Sequence, residues 1–209
     1  MKTFLFQGDS ITDANRDDEN RENFGLGCGY ALLVASEFEK KRKGEVKFIN
    51  RGVSGDRITD VYARIKEDII NLEPDCMSIL IGVNDVSHEL TMKCGVETEK
   101  FERIYSMLID EIKEALPQIK IIILEPFVLR GSATDALWED FSYQVKEHAR
   151  AAERIAEKYT LPFIPLQNKF DEAAADGDTR YWSVDGIHPT AAGHQLIKEE
   201  LSPVISDII

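Results

Sequence analysis

The sequence predicts an α/β fold, a five-stranded parallel sheet covered on both faces by helices in a three-layer, doubly wound α/β/α arrangement. Five short apolar runs are spaced along the chain, at residues 3–6, 46–50, 76–81, 119–124 and 161–164. They show little apolar/polar alternation, which is the pattern of strands buried on both faces. Amphipathic stretches separate them, so each strand-to-strand connection is long enough for a right-handed helical crossover.

The elements follow in order. The first run, Thr3-Phe4-Leu5-Phe6, opens the chain as a strand, and the polar stretch 12–23 after it reads as a loop. The second run leads into Ile58, Val61, Ile65, Ile69 and Leu72, which recur at helical spacing. The third is followed by Phe101, Ile104, Leu108, Ile112 and Leu116, and the fourth by Phe141, Val145, Ala149, Ala152 and Ala156. Residues 131–135 form a second loop candidate. The tail carries Leu196, Ile197, Leu201, Val204 and Ile208, with Pro203 expected to bend or restart that helix because it has no N–H to donate. No long linker, repeat or low-complexity tract interrupts the series, so residues 1–209 are expected to form one domain.

Composition excludes several classes. The chain is 43% hydrophobic and 30% charged, ordinary for a globular protein and unlike a disordered or fibrous one. A net charge of −13 disfavours phosphate polymers and anionic membrane surfaces as partners. Three scattered cysteines, Cys28, Cys76 and Cys94, fit a reducing compartment better than a disulfide framework. No apolar run approaches the ~20 residues of a membrane span or the ~7–15 of a signal-peptide core. A cytoplasmic location is expected, with a small-molecule ligand, no nucleic acid, no membrane, and a homo-oligomer as a plausible assembly.

In an open parallel sheet, ligands bind outside the carboxyl ends of the strands. There the first run continues into Gln7-Gly8-Asp9-Ser10, the second into Arg51-Gly52-Val53-Ser54-Gly55-Asp56, and the third into Gly82-Val83-Asn84-Asp85. A fourth segment, Asp185-Gly186-Ile187-His188-Pro189, precedes the last helix. Ser10 lies two residues after Gly8 at a strand-to-helix turn, where its hydroxyl is accessible and a helix N-terminus faces the site. A serine needs a base to become nucleophilic, and His188 is the candidate. Asp185, three residues earlier, can take the other ring N–H and set the tautomer. The N–H groups of Ser10 and Gly55 and the amide of Asn84 make a three-donor oxyanion hole for acyl transfer. Each residue alone also fits a turn, a cap or a structural role; the case rests on the combination.

These four segments resemble the SGNH hydrolases, or GDSL esterases. Gly8-Asp9-Ser10-Ile11 matches the first block, with isoleucine in place of the usual leucine. Gly55 falls on the second-block glycine, Gly82, Asn84 and Asp85 on Gly-x-Asn-Asp, and Asp185, His188 and Pro189 on Asp-x-x-His-Pro. The resemblance implies a flavodoxin-like fold, a Ser10–His188–Asp185 triad, an oxyanion hole from Ser10, Gly55 and Asn84, and ester hydrolysis without metal or cofactor. The stretches 25–30, 81–86 and 126–127 are similar to intracellular acetylxylan esterases of that family, which implies deacetylation of small acetylated xylo-oligosaccharides. Asp9, Tyr30 and Trp182 are expected against the substrate, with Trp138 a further aromatic candidate for packing on a sugar face.

Other readings remain open. Within the family, lysophospholipid, aryl ester and thioester hydrolysis are alternatives. Outside it, a non-catalytic flavodoxin-like binding domain would use Asp9 and Asp13 to hold Mg²⁺ or accept a phosphoryl group, and would have no use for Asp185 and His188. An esterase-like scaffold serving only to bind carbohydrate is a third. His88, His148 and His194 lack metal-ligand spacing. His148 reads as a helix-surface residue, and His194 as capping or packing the last helix. The mixed-charge runs 37–43 and 97–102 read as solvated faces. The polar run 13–22 is a candidate rim for the pocket.

Overall fold

The computed structural model describes residues 1–20 and 24–209. Five strands form one parallel sheet: β1 (Lys2–Gly8), β2 (Val46–Asn50), β3 (Cys76–Leu80), β4 (Lys120–Leu124) and β5 (Phe163–Ile164). Their order is β2-β1-β3-β4-β5, the flavodoxin-like doubly wound order. The chain leaves β1 for one neighbour and returns for the other, so the switch point lies at the end of β1.

Alternate side chains of each strand feed two separate cores. Phe4 and Phe6 of β1 join Cys76, Leu80, Ile122 and Leu124 on one face. Leu5, Met77, Ile79, Ile121 and Ile123 point to the other. The first face is covered by α2 (Tyr30–Lys41) and α10 (Ala191–Ile208), which bury Val34 and Phe38, and Ile197, Leu201 and Ile205. The second is covered by α3 (Ile58–Ala63), α6 (Thr98–Ala115) and the carboxyl half of α7 (Trp138–Tyr159). Phe101, Tyr105, Leu108 and Ile112 of α6 are all fully buried there. At ~25 cal/mol per Å² of apolar surface, such side chains stabilise the layer by roughly 1.5–3 kcal/mol each before conformational entropy is counted.

Several elements differ from expectation. The helical pattern at residues 58–72 is broken into α3, the one-turn α4 (Ile65–Asp68) and a 3₁₀ turn (Ile70–Leu72), because Arg64 leaves the helical region at φ −103°, ψ 10°. Pro203 does not restart the last helix, since α10 runs through it to Ile208. Its position is solvent-exposed, so water can take up the carbonyl that loses its donor. His148 is buried, not on the helix surface, with its ring nitrogens against the carbonyls of Gln144 and Val96, both at 2.9 Å. The loop expected at 12–23 begins later, because α1 (Ser10–Asp13) forms one helical turn; residues 21–23 of that run and of the expected rim lie outside the described residues. Among the described residues, no helix is long and apolar enough to cross a membrane.

Candidate active site

The three strand ends are latched together by their own polar groups. Val53 N–H donates to Gly8 C=O at 3.0 Å, and Ser54 Oγ donates to Asp13 Oδ2 at 2.9 Å. Asn84 Nδ2 donates to Asp56 C=O at 3.1 Å. Both carboxyl oxygens of Asp85 accept from Ile58 N–H, at 3.1 and 3.2 Å. Asp85 is fully buried, and burial raises its pKa well above the ordinary carboxylate value. The third segment thus holds the second, and the second holds the first.

Asp9 and Ser10 start α1. Asp9 Oδ1 accepts from Ile11 N–H at 2.9 Å, capping the turn, while Oδ2 has no partner and is sealed from solvent. Burial raises its pKa to about 7. α1 is only four residues long, so the helix dipole expected behind Ser10 reduces to one turn of oriented N–H groups. It ends on Ala14 (φ 44°) and Asn15 (φ 59°), two left-handed residues other than glycine, a conformation that costs an ordinary residue about 1–2 kcal/mol. Cys28 secures this corner, its N–H and Sγ both donating to Ala14 C=O at 2.8 and 3.1 Å.

The fourth segment folds over this edge. Ser183 and Pro189 form an antiparallel bridge, closing a tight loop. The neighbouring 129–134 loop clamps it, with Leu129 N–H on Gly186 C=O and Ala133 N–H on Asp185 C=O, at 2.8 and 2.9 Å. Asp185 Oδ1 accepts from the N–H groups of Ile187 and His188, both at 2.9 Å. Its Oδ2 lies 2.8 Å from His188 Nδ1. His188 Nε2 lies 2.9 Å from Ser10 Oγ. Burial acts to raise the Asp185 pKa, but the hydrogen bonds from His188 and Ile187 outweigh it and hold the carboxyl below its ordinary value. An ionised Asp185 accepts from Nδ1–H, which leaves the Nε2 lone pair directed at Ser10.

Three donors at this edge have no acceptor among the described residues: Ser10 N–H, Gly55 N–H and the second hydrogen of Asn84 Nδ2. Gly55 sits at φ +86°, a left-handed conformation that glycine takes without penalty. A Cβ there would meet nothing closer than His88 at 4.0 Å, so the glycine serves the turn and not a tight contact.

The pocket beside Ser10 has a volume of about 520 Å³ and includes Ala14, Asn15, Cys28, Val184, His188 and His194 in its walls. The residues expected against substrate, Asp9, Tyr30, Trp182 and Trp138, do not line this pocket. Tyr30 is fully buried with its hydroxyl on Thr12 Oγ1 at 2.8 Å, and Asp9 is enclosed beneath α1. Trp182 is half-buried against the sheet core under Tyr181, and Trp138 lies beneath the Arg130 guanidinium, 4.8 Å from its ring centre, in a different hollow. Val184, exposed at 62%, stands instead at the pocket mouth. Sequence reasoning missed His194 and the Asp13 latch; the position of His194 one turn into the helix that follows His188 was the available signal. Among the described residues, no group of three or more His, Cys, Asp or Glu side chains is placed to hold a metal ion.

A five-stranded doubly wound sheet with a Ser-His-Asp chain and free N–H donors at its switch point is the architecture of a hydrolase. Residues 6–196 match the GDSL-like Lipase/Acylhydrolase family, and the chain belongs to that family. An acetylxylan esterase from Geobacillus stearothermophilus is 31% identical over 201 residues, 92% of this chain and 89% of that protein. A putative GDSL-like lipase from Parabacteroides merdae superposes with a TM-score of 0.90 at 35% identity, over 100% of this chain and 96% of the other. The structure of a catalytic mutant of the Geobacillus acetylxylan esterase gives 0.85 at 28% identity, over 99% and 94%. The chain is an ester-hydrolysing enzyme.

Proposed function

We propose that this esterase removes acetyl groups from small acetylated sugars, xylo-oligosaccharides foremost, through an acyl-enzyme on Ser10. The observation that carries the mechanism is the unbroken chain from Ser10 Oγ through His188 to Asp185, at 2.9 and 2.8 Å. Ser10 Oγ attacks the acetyl carbonyl carbon while its proton passes to His188 Nε2. The resulting oxyanion is met by Ser10 N–H, Gly55 N–H and Asn84 Nδ2–H, groups that need no reorganisation as charge develops. Collapse breaks the bond to the alcohol oxygen, which takes the proton from His188. Water then attacks the acetyl-enzyme, its proton again going to His188, and acetate leaves as Ser10 is restored. Asp185 stabilises the imidazolium throughout and stays ionised.

The substrate class rests on the likeness to the Geobacillus acetylxylan esterase and on the shape of the cleft. Across Val184 from the Ser10 pocket lies a second hollow of about 610 Å³, walled in part by Arg130, Ser132, Asp178 and Arg180. Its polar lining suits the hydroxyls of a sugar unit adjoining the acetylated one. Acetate release from acetylated xylo-oligosaccharides, acetylated monosaccharides, longer-chain p-nitrophenyl esters and a lysophospholipid tests this reading. The expected order puts the acetylated sugars first in kcat/KM, and a preference for the lysophospholipid or long acyl chains would overturn it.

A further inference from the structure

His194 lines the same pocket as Ser10 and His188 but has no part in the mechanism above. It lies in the first turns of α10, whose N-cap is Thr190. Its Nδ1 accepts from the backbone N–H of Tyr30 at 3.2 Å, and its ring stacks on the buried Tyr30 ring at 6.3 Å between centres. Residue 29 is glycine for a reason visible here. A Cβ at that position would stand 2.7 Å from His194 Cε1 and 2.9 Å from Nδ1, so a side chain would push the imidazole off its backbone donor.

These contacts fix the tautomer as well as the orientation. A ring nitrogen that accepts from an N–H carries no proton, so the neutral imidazole holds its proton on Nε2. Burial, reinforced by the nearby His188, pushes the His194 pKa down to about 4, so the ring is neutral near pH 7. Nε2 has no hydrogen-bond partner among the described residues and is not one of the polar atoms sealed in the interior. It is a held, neutral donor open to the pocket. The other polar side chains there are mostly engaged: Thr190 Oγ1 donates to Tyr181 C=O, and Ser54 Oγ donates to Asp13.

The side of the pocket decides which half of the ester His194 meets. The leaving oxygen must reach His188 Nε2 to be protonated, so the alcohol half lies along the wall built by residues 188–194. We propose that His194 is a substrate-binding residue whose Nε2–H donates to a hydroxyl or ring oxygen of the alcohol half, next to the acetylated position, and so favours sugar esters over esters of alcohols lacking such an oxygen. This rests on the acetyl-sugar reading given under Proposed function. His194 gives up no proton in the reaction; it orients the substrate.

Two variants separate substrate binding from structure. In His194→Asn the side-chain oxygen can still accept from Tyr30 N–H, but nothing replaces Nε2. In His194→Gln the amide nitrogen reaches the Nε2 position. For each, kcat and KM are measured on an acetylated xylo-oligosaccharide and on p-nitrophenyl acetate, with a thermal melt. His194→Asn is expected to lower the ratio of kcat/KM for sugar ester over p-nitrophenyl acetate about tenfold, mostly through KM, the effect of one neutral hydrogen bond. His194→Gln is expected to recover part of that ratio. Equal losses on both substrates, or an unaltered ratio in His194→Asn, would overturn the inference while leaving the acetyl-sugar reading standing. An unsubstituted enzyme that cleaves p-nitrophenyl acetate but no acetylated sugar would overturn that reading, and this inference with it.

Discussion

Asp9→Asn should make the enzyme more stable, and more so as pH rises. Asp9 is fully enclosed, caps α1 through Oδ1, and leaves Oδ2 without a partner. In the unfolded chain its carboxyl ionises near the ordinary value of 3.8; in the folded enzyme burial holds the proton until about pH 7. Between those values the unfolded state is ionised while the folded state is not, so the unfolded state binds fewer protons and stability falls as pH rises. At ~1.4 kcal/mol for each pH unit separating the two values, the penalty reaches about 4 kcal/mol by pH 7. Asparagine keeps the acceptor for Ile11 N–H and matches the protonated carboxyl in shape and charge, so below pH 4 the two proteins should be nearly equal. At pH 7–8 the variant should be more stable by up to about 4 kcal/mol, or roughly 10 °C at ~2–4 °C per kcal/mol for a chain of this length. Denaturant titrations and thermal melts at pH 4, 5.5, 7 and 8 give the difference directly. A stability difference that is flat across this range, or that shrinks with rising pH, would refute the burial argument.

Three further outcomes are expected. Gly55→Ala must hold a Cβ residue at φ +86°, so it should cost about 1–2 kcal/mol of stability and, by tilting the Gly55 N–H away, lower kcat by roughly 10²–10³; an alanine variant with full kcat would remove that N–H from the oxyanion hole. Asn84→Ala deletes both the proposed oxyanion-hole donor and the tie to Asp56 C=O, and steady-state assays should show a kcat loss of at least about 10² with KM changed far less. His188→Ala removes the Nε2 lone pair offered to Ser10, and steady-state assays should show kcat/KM lower by roughly 10²–10⁴. Near-full kcat/KM in a folded His188→Ala protein would rule His188 out as the base.

Much of this architecture is legible in the residue pattern because parallel strands buried on both faces cannot hide their composition. The runs at 46–50 and 76–81 fall on β2 and β3 to within a residue, and the strand-end motifs follow from them. The short β5 was harder to bound, since only Phe163 and Ile164 pair with β4. What the pattern could not convey is the direction of side chains beside the motifs. Asp9 lies next to Ser10 in sequence and Tyr30 closes the stretch 25–30, yet α2 turns Tyr30 into the core and the cap bond turns Asp9 inward. His148 shares its helix with charged neighbours, and only the packing of α7 against α6 and the Val96 carbonyl explains its burial. His194 looked like a cap because its partner, the Tyr30 N–H, is 164 residues away in sequence. Such placements depend on contacts between distant segments, which local periodicity does not encode.

The central claim is that Ser10 is the nucleophile held by His188, and labelling with a fluorophosphonate tests it most directly. Intact-mass and peptide analysis should show one adduct per chain, on Ser10. In the folded Ser10→Ala variant the adduct should be absent and p-nitrophenyl acetate hydrolysis should drop by at least about 10⁴. Labelling at another residue, or near-full hydrolysis by a folded Ser10→Ala protein, would contradict the account.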